Sequence, residues 1–502
     1  MKKTKKIFAL VITLVIFFTN TVMAEVGDMG FFGGISQGRR LLKTTDILLG
    51  NTSKEESFPY KEMIFINGEP IEFQGIMEVE HGEVDFAEPV GTYEESYKVS
   101  SSAATGESVN IDRNISFIVN YRIADKQIIK DYRVDSWSET ITANGTNYEL
   151  DEDLSFFELS LIEDLTPGVE YYKGNVSKKN VYVVGEGETV VETVSGDVYG
   201  YGSSYSTIET HRLNGYVNSG AWQMQYQVRP SVSVMKTLDY GVNEPNLISF
   251  DGNYREIISN QSGLKYNIYV KPTSLDTIPD EGGTTIDSYN TFEQLLAPNL
   301  EYLKGHFAEA DISKLFAMEI LEGKPKEFVP NQAITRGQYI TMIAKAIALP
   351  IDEYIETDKK KKVSVYAFPD VPPTRPDYPY IMAANNAGLA FGRQYGHYYP
   401  DSPITREEAL VILLRTIGLE NLGLDPTPVT AFTDDEKIAN WAKKELYAAE
   451  RIGLIRGDEN NNIHPKNLIS KGEAAALINR LIDYMRKDMI NDYGQNIVHF
   501  AN

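Results

Sequence analysis

Three segments in the last two fifths of the chain repeat one arrangement of a hydroxyl, a cation and an amide or carboxylate. They are VPNQAITRGQ at 329–338, YPDSPITREE at 399–408 and HPKNLISKGE at 464–473. In each segment the residue directly after a Thr or Ser carries a positive charge, and these residues are Arg336, Arg406 and Lys471. Guanidinium and ammonium groups bind carboxylates and phosphates. The three cations are therefore candidate ligands for an anion.

The Thr or Ser of each segment also predicts where a helix begins. Ser470 and Glu473 have the spacing of a capping box, in which the hydroxyl and the carboxylate accept hydrogen bonds from the first turn. A cation in that turn is unfavourable by about a few tenths of a kcal/mol, because a helix N-terminus carries partial positive charge. Two explanations follow. The cations are exposed at a tolerant position, or they join free helix N–H groups in an anion site.

The residues around each segment predict a helix–loop–helix unit of about 50 to 60 residues. In the third unit, apolar residues recur with helical spacing from Trp441 to Ile452, and Gly453 can end that helix. The run Asp458–Asn462 lacks the Gly and the final Glu of a calcium loop, so it is interpreted as a polar turn. In every unit a second cation follows the Thr or Ser by ten residues, and these cations are Lys345, Arg415 and Arg480.

Residues 25–290 are predicted to form an antiparallel β-rich region. Asn67-Gly68 separates two runs of strand-forming residues, which is a strong hairpin signal. Residues 222–228 alternate between large and polar side chains, as a half-buried strand does. We expect one or two sandwich or meander domains, with a boundary considered at 163–180.

The β-rich region offers few residues for chemistry. It contains two of the six histidines, His81 and His211, and no motif for a nucleophile, zinc or phosphate. Its acidic stretches at 78–85 and 151–153 are interpreted as solvated charges rather than calcium ligands or an acid–base pair. Three tyrosines that could stack on a sugar are interpreted as packing residues, and they are Tyr199, Tyr201 and Tyr205.

The composition excludes several classes of function. The chain of 502 residues has a formal charge of −23, which becomes −27 without the four lysines of residues 1–24. Such an acidic chain lacks the basic surface that binding to nucleic acid or anionic lipid requires. It contains no cysteine, which removes disulfides, thiolate catalysis and cysteine zinc sites. No cofactor and no metal site is predicted.

Residues 1–24 are predicted to be a secretory signal peptide. Lysines precede an apolar stretch from Ile7 to Phe18, and Val22 and Ala24 supply the small residues of a cleavage site. The alternative is an uncleaved anchor, but the stretch is short for a membrane span of about 20 residues. No other segment is apolar enough to cross a bilayer, so we expect a secreted protein.

The repeated segments resemble S-layer homology (SLH) domains. The signature of that family is F-x-D-V, a helix ending in Gly, a turn ending in Pro, and then I-T-R-A-E. The matching stretches are HFAEADISKLFAMEILEG at 306–323, ITRGQ at 334–338, FPDV at 368–371, YPDSPITREE at 399–408, FTDDEKIANWA at 432–442 and ISKGEAA at 470–476. The first copy lacks the leading F-x-D. The resemblance covers about residues 300–488.

This resemblance implies an all-α, pseudo-threefold bundle of three helix–loop–helix repeats with grooves between neighbours. It also implies non-covalent binding to a secondary cell-wall polysaccharide, which in this family often bears pyruvate ketals, with the Arg of T-R-A-E in the groove. By position, Arg336, Arg406 and Lys471 are assigned to polysaccharide binding. Lys471 lacks the planar fork that binds a carboxylate through two hydrogen bonds, so its groove is expected to be weaker.

We therefore predict a multidomain α+β protein with a signal peptide (1–24), a β-rich region (25–290) and SLH repeats at 300–350, 364–420 and 428–488. The predicted function is non-catalytic. A secreted surface protein of a Gram-positive bacterium displays the β-rich region and is held to the cell wall by an anionic polysaccharide linked to peptidoglycan. The alternatives are a wall or polysaccharide hydrolase with the same anchor, and a self-associating subunit of a surface layer.

Overall fold

The computed structural model describes residues 29–37, 55–82, 88–101, 109–124, 126–185, 187–241, 253–272, 279–287, 290–351, 368–422, 425 and 427–493. The predicted signal peptide, residues 1–24, lies outside the described residues. Within the described ranges, no helix is long and apolar enough to cross a membrane.

The described N-terminal residues form one antiparallel sheet of fifteen strands. The strands are β1 (Ile35–Ser36), β2 (Glu55–Ile64), β3 (Ile71–His81), β4 (Val90–Ser101), β5 (Val109–Ala124), β6 (Gln127–Ala143), β7 (Thr146–Leu150), β8 (Phe156–Leu165), β9 (Val169–Val184), β10 (Glu188–Ser203), β11 (Ser206–Asn218), β12 (Gln223–Tyr240), β13 (Tyr254–Val270), β14 (Glu281–Ile286) and β15 (Thr291–Leu295). Each strand pairs with the next one along the chain, except that β7 does not pair with β8 and β14 does not pair with β15. Instead, β8 pairs with β6 and β9, β7 also pairs with β9, and β15 pairs with β13. The prediction of a β-rich N-terminal region is confirmed.

The sheet curves so that its first and last strands meet and enclose a core. β1 lies against β12 and β13, and β2 lies near β14. Along β3, buried and exposed residues alternate, because successive side chains of a strand point to opposite faces. The segment 163–180 contains the end of β8 and most of β9. The division of this region into one or two domains stays a prediction.

The segment before β1 fills part of the core. Met29 and Phe31 are fully buried, and the ring of Phe31 stacks on the buried His211 at a centroid distance of 5.9 Å. Gly34 is required at its position because a Cβ atom there would lie 2.2 Å from the hydroxyl oxygen of Tyr60. This segment is therefore an internal part of the sheet's packing.

A network of buried charges crosses the same core. Arg113 donates to Glu139 at 2.9 and 2.8 Å and to Glu62 at 2.7 Å. Tyr60 adds a hydrogen bond to Glu62 at 2.9 Å, and Tyr182 adds one to Glu139 at 3.1 Å. Burial acts to raise the pKa of Glu139, but the charge and hydrogen bonds of Arg113 hold that pKa below its ordinary value. A buried charge is tolerated in such a network because its hydrogen bonds are satisfied.

The described residues of the C-terminal part contain six helices of 9 to 13 residues and a short helical turn at Met489–Asp492. The helices are α1 (Glu309–Ala317), α2 (Arg336–Ala346), α3 (Tyr378–Asn386), α4 (Arg406–Arg415), α5 (Lys443–Arg451) and α6 (Lys471–Asp483). Each repeat supplies two helices. The prediction of an all-α bundle was wrong, since these helices are short and turns and backbone bridges join them.

Backbone bridges link the three repeats just before their second helices. The bridged pairs are Ala333 with Ser470, Thr335 with Pro403, and Thr405 with Leu468. Short helices leave long turns whose N–H and C=O groups need partners when they are buried. Here each repeat finds those partners on the next repeat, so the centre of the unit is a ring of extended segments and not a bundle of helices.

The curved sheet is docked on the ends of α2 and α4 and on the helical turn that follows α6, Tyr484–Asp488. The contacts are from the Tyr205 hydroxyl to Ala346 O at 2.6 Å, from Gly168 N–H to Thr416 O at 2.7 Å, and from the Ser206 hydroxyl to Met485 O at 2.6 Å. The last carbonyl groups of a helix have no partner within the helix. Hairpins of the sheet supply those partners at the ends of α2 and α4, and in the third repeat they bond to the helical turn after α6. Tyr201 and Tyr205 are buried at this junction, which confirms their interpretation as packing residues.

Candidate functional site

Each second helix begins at a capping box, as the sequence predicts. The hydroxyl of Ser470 accepts from the N–H of Glu473 at 3.2 Å, and the Glu473 carboxylate accepts from the N–H of Ser470 at 2.8 Å. The same reciprocal pair forms at the start of α2 and of α4. The caps fix the three repeated cations at the first residue of α2, α4 and α6.

The other N–H groups of the first turns are already occupied. The N–H of Arg406 donates to Asn467 O at 2.8 Å, and that of Glu407 donates to Pro465 O at 3.0 Å. Equivalent bonds join α2 to the turn of the second repeat and α6 to the turn of the first. Of the two explanations considered for the cations, the one that joins them to free helix N–H groups does not apply at these three helix starts. Any anion must be bound by side chains.

Arg336 is a buried structural residue. Only 6% of its surface is exposed, and Nε and Nη2 donate to Tyr398 O and Phe391 O, both at 3.0 Å. Nη1 reaches Glu408 at 3.2 Å, and the guanidinium lies 4.7 Å from the centre of the Tyr398 ring. Burial lowers the pKa of Arg336. Its donors are committed to the second repeat.

Arg406 has an unused donor that is buried. Its Nη2 pairs with Glu473, the capping residue of the next repeat. Its Nε is buried and has no hydrogen-bond partner among the described residues. A buried N–H without a partner costs about 1–3 kcal/mol, so such a group commonly marks a place where a ligand or water binds.

Lys471 occupies the equivalent position in the third repeat with different contacts. Its ammonium donates to the side-chain oxygen of Gln332 at 2.8 Å and lies 5.9 Å from the centre of the Phe328 ring. Burial lowers the pKa of Lys471. The three predicted ligands therefore do not form one site. Arg336, Arg406 and Lys471 lie in three separate places, one in each repeat.

An open groove runs beside α6, between the second helix of the third repeat and the start of the first repeat. Its volume is about 470 Å³. We call it the α6 groove, and its main lining residues are Phe307, Asn331, Arg406, Ser470, Glu473 and Arg480. Phe307 exposes 66% of its surface there. The groove therefore combines two arginines with one accessible aromatic ring.

The second cations distinguish the three repeats. Arg415 is paired with Glu445 at 2.6 Å, and Lys345 is paired with Glu322 at 2.7 Å. Arg480 is exposed and forms no ion pair within the described part of the chain. The sequence identifies Arg480 by its spacing from Ser470, which Lys345 and Arg415 share with respect to their own repeats. No sequence pattern shows that Arg480 differs from those two residues in having no ion-pair partner among the described residues. Phe307 was missed because the first repeat departs from the family pattern at its front.

The polar turn of the third repeat directs its first carboxylate to groups of the turn itself. Asp458 accepts from the N–H groups of Asn460 and Asn462 at 2.9 and 2.8 Å and pairs with His464 at 2.8 Å. Hydrogen bonds from Asn462 and His464 lower the pKa of Asp458 to about 2. Its oxygens are used within the turn. The described residues hold no cluster of three or more potential metal ligands.

Two carboxylates converge in the sheet beside a small cavity. Glu62 and Glu139 both bind Arg113, and the adjacent cavity has a volume of about 20 Å³, enough for about one water molecule. A glycosidase places its two carboxylates on either side of a bound sugar. This pair has no room for one.

Comparisons with known proteins match the C-terminal part of the chain. The S-layer homology domain family matches residues 303–340, 367–410 and 431–475. The exoglucanase XynX of Acetivibrio thermocellus is 30% identical over 189 residues, which are 36% of this chain and 16% of that protein. The amylopullulanase of Thermoanaerobacterium thermosulfurigenes is 29% identical over 189 residues, which are 36% of this chain and 9% of that protein. The S-layer protein EA1 of Bacillus anthracis is 30% identical over 192 residues, which are 38% of this chain and 20% of that protein.

The matched part is thus a small share of each relative, between 9% and 20% of its length. What these proteins have in common with the chain is the repeated C-terminal part, which occurs in S-layer proteins and in polysaccharide-degrading enzymes alike. The capping boxes, the threefold bridges and the family match agree on the same segments. The chain carries three S-layer homology domains in its C-terminal part and is a secreted protein anchored at the cell surface.

Proposed function

We propose that the SLH domains hold this protein to the cell wall by binding an anionic secondary cell-wall polysaccharide, and that the α6 groove is the principal binding site. The observation that carries the proposal is that Arg406, whose Nε has no hydrogen-bond partner among the described residues, lines a groove together with Arg480 and Phe307. Two cations and one aromatic ring suit a sugar that bears a carboxylate, such as a pyruvate ketal.

The groove gives each part of such a sugar a separate contact. The carboxylate would lie between the guanidinium groups of Arg406 and Arg480, where its charge offsets two cations. The apolar face of the sugar ring would pack on Phe307, which is otherwise exposed to water. Asn331 would donate to, or accept from, the sugar hydroxyl groups. Glu473 remains paired with Arg406 Nη2 and orients that guanidinium.

The three repeated cations contribute unequally to binding in this proposal. Arg336 is held by two carbonyl oxygens and Glu408, so its role is to join the first and second repeats. Lys471 offers an ammonium that is bound to Gln332 and provides a point charge without a planar fork. Both stay candidate polysaccharide ligands by position, with weaker contributions than Arg406.

Sedimentation with purified cell walls tests the site. The mature chain is incubated with walls before and after removal of their polysaccharide, as wild type and as Arg406→Ala, Arg480→Ala and the double variant. We expect the double variant to bind at least tenfold more weakly, because it loses both cations of the groove. Lys345→Ala is the matched control, since it removes the cation at the Arg480 position of the first repeat.

Two outcomes would sink the proposal. One is equal pelleting of wild type with intact and stripped walls, which would exclude the polysaccharide as the ligand. The other is an affinity of the double variant equal to that of Lys345→Ala, which would exclude the α6 groove. The β-rich region is proposed to be displayed by this anchor without catalysing a reaction of its own.

A further inference from the structure

A second groove lies on the outer face of the sheet, outside the SLH domains. It crosses β8 to β13 and has a volume of about 510 Å³, within the range of roughly 300–1,000 Å³ that small-molecule sites occupy. We call it the sheet groove. Its outward-facing residues include Phe156, Thr193, Ser195, Asn214, Gln225 and Tyr269.

A β-bulge places one of its two exposed aromatic rings. Gln225 pairs with Val270 and Tyr226 pairs with Ile268, so Tyr269 is an extra residue with no partner on β12. Bulges redirect a side chain and are common beside binding sites. Tyr269 exposes 62% of its surface, and Phe156, on the β8 side, exposes 44%.

The other exposed residues of the lining, Thr193, Ser195, Asn214 and Gln225, are polar and uncharged. No acidic residue lines the groove, although the chain has 71 of them. Its single charged residue, Lys178, is buried and donates to Phe32 O at 3.2 Å in the core. The hydroxyl groups of Thr193 and Ser195 form no hydrogen bond to another described residue, so they are available to a ligand.

We propose that the sheet groove binds a neutral oligosaccharide. A sugar ring has apolar C–H faces and a rim of hydroxyl groups, and the groove offers two aromatic rings with hydroxyl and amide groups on the strands between them. The lining offers no exposed charge to an ionic ligand. Lys179, opposite Phe156, and Glu158, opposite Ser177, are neighbouring charges of opposite sign on the same face, so this pair favours neither an acidic nor a basic ligand. The inference is independent of the α6 groove, which is built to bind negative charge.

Calorimetry with three neutral probes tests this site, namely cellotetraose, maltotetraose and the tetramer of N-acetylglucosamine. The protein is the mature chain carrying Arg406→Ala and Arg480→Ala, so that the α6 groove does not contribute. We expect at least one probe to bind. In this background Tyr269→Ala and Gln225→Ala should each weaken that binding at least tenfold.

Phe292→Ala is the matched control, because Phe292 exposes 63% of its surface on β15, outside the groove. It should leave the affinity unchanged, and circular dichroism should show the same fold in every variant. Absence of binding by all three probes would overturn the proposal. So would equal affinities in the Tyr269→Ala and Phe292→Ala variants.

Discussion

At the scale of single residues, equal positions in the three repeats have acquired different roles. Arg336, Arg406 and Lys471 all begin a second helix, yet the first is enclosed by carbonyl groups, the second keeps a free donor, and the third has only a side-chain amide as a hydrogen-bond partner. The difference comes from their neighbours in the next repeat. Position within a motif therefore identifies candidates, and the surrounding contacts decide which of them can bind a ligand.

Arg336→Ala is expected to lower the free energy of unfolding by about 2–4 kcal/mol, because it leaves the carbonyl groups of Phe391 and Tyr398 without donors in a buried place. Urea unfolding followed by circular dichroism measures this change. Arg336→Lys should recover only part of it, since an ammonium cannot reach both carbonyls and Glu408 at once. A loss below about 0.5 kcal/mol in Arg336→Ala would contradict the structural role.

Glu408 should make stability depend on pH. Burial acts to raise its pKa, but hydrogen bonds from Thr405 and Arg393, with the charge of Arg336, hold that pKa below its ordinary value. A carboxyl group with a lowered pKa in the folded state stabilises the fold above its unfolded pKa of about 4.3 and loses this contribution as the pH falls. Glu408→Gln, which copies Gln338 of the first repeat, should therefore show a smaller loss of stability between pH 6 and pH 3.5. An unchanged loss would contradict this assignment.

At the scale of elements, the caps and the bridges have different origins. A capping box is local, so its residues can be recognised within four positions of the sequence. The bridges of Thr335 with Pro403 and of Thr405 with Leu468 join residues more than sixty positions apart, and no local pattern encodes them. For this reason the sequence predicted the start of each second helix correctly but led to an all-α unit that the structure does not have.

Thr405→Ala should reduce the free energy of unfolding by about 1 kcal/mol, because it removes the hydroxyl that accepts from the N–H of Glu408. Denaturant unfolding quantifies the change. Thr427→Ala provides a control, since Thr427 is exposed and caps no helix. The prediction fails when the two variants are equally stable.

The sequence predicts that the N-terminal region forms antiparallel strands, but it does not predict that the sheet curves until its first and last strands meet. The hairpin dipeptide Asn67-Gly68 and the alternation of β12 are local signals, and both lie where the sequence places them. The buried charges of Arg113, Glu62 and Glu139 gave no signal, because charged residues on a strand are ordinarily assigned to its solvent face. Neither groove could be found from sequence, since each gathers residues from several elements.

At the scale of the whole molecule, the sheet and the SLH domains share a buried junction. Tyr205 donates to Ala346 O, and Val169, Tyr171 and Tyr201 pack into the apolar core of the repeats. Two parts that share a core are expected to unfold together rather than as independent domains.

Tyr205→Phe tests this coupling, because it keeps the ring and removes the hydroxyl that reaches the end of α2. We expect a loss of about 1 kcal/mol and a broader or divided thermal transition in scanning calorimetry. Tyr240→Phe is the control, since Tyr240 is exposed at the end of β12, outside this junction. A transition identical to that of the control would show that the hydroxyl does not couple the two parts.

The docking of hairpins on all three repeats also has a mechanical consequence. The chain passes from the sheet to the repeats only once, through the residues that follow β15. Fluid drag on the sheet would load that single peptide if nothing else joined the two parts. With Gly168, Tyr205 and Ser206 each bonded to a different repeat, the pull is instead divided among all three, and each repeat bears only part of the force.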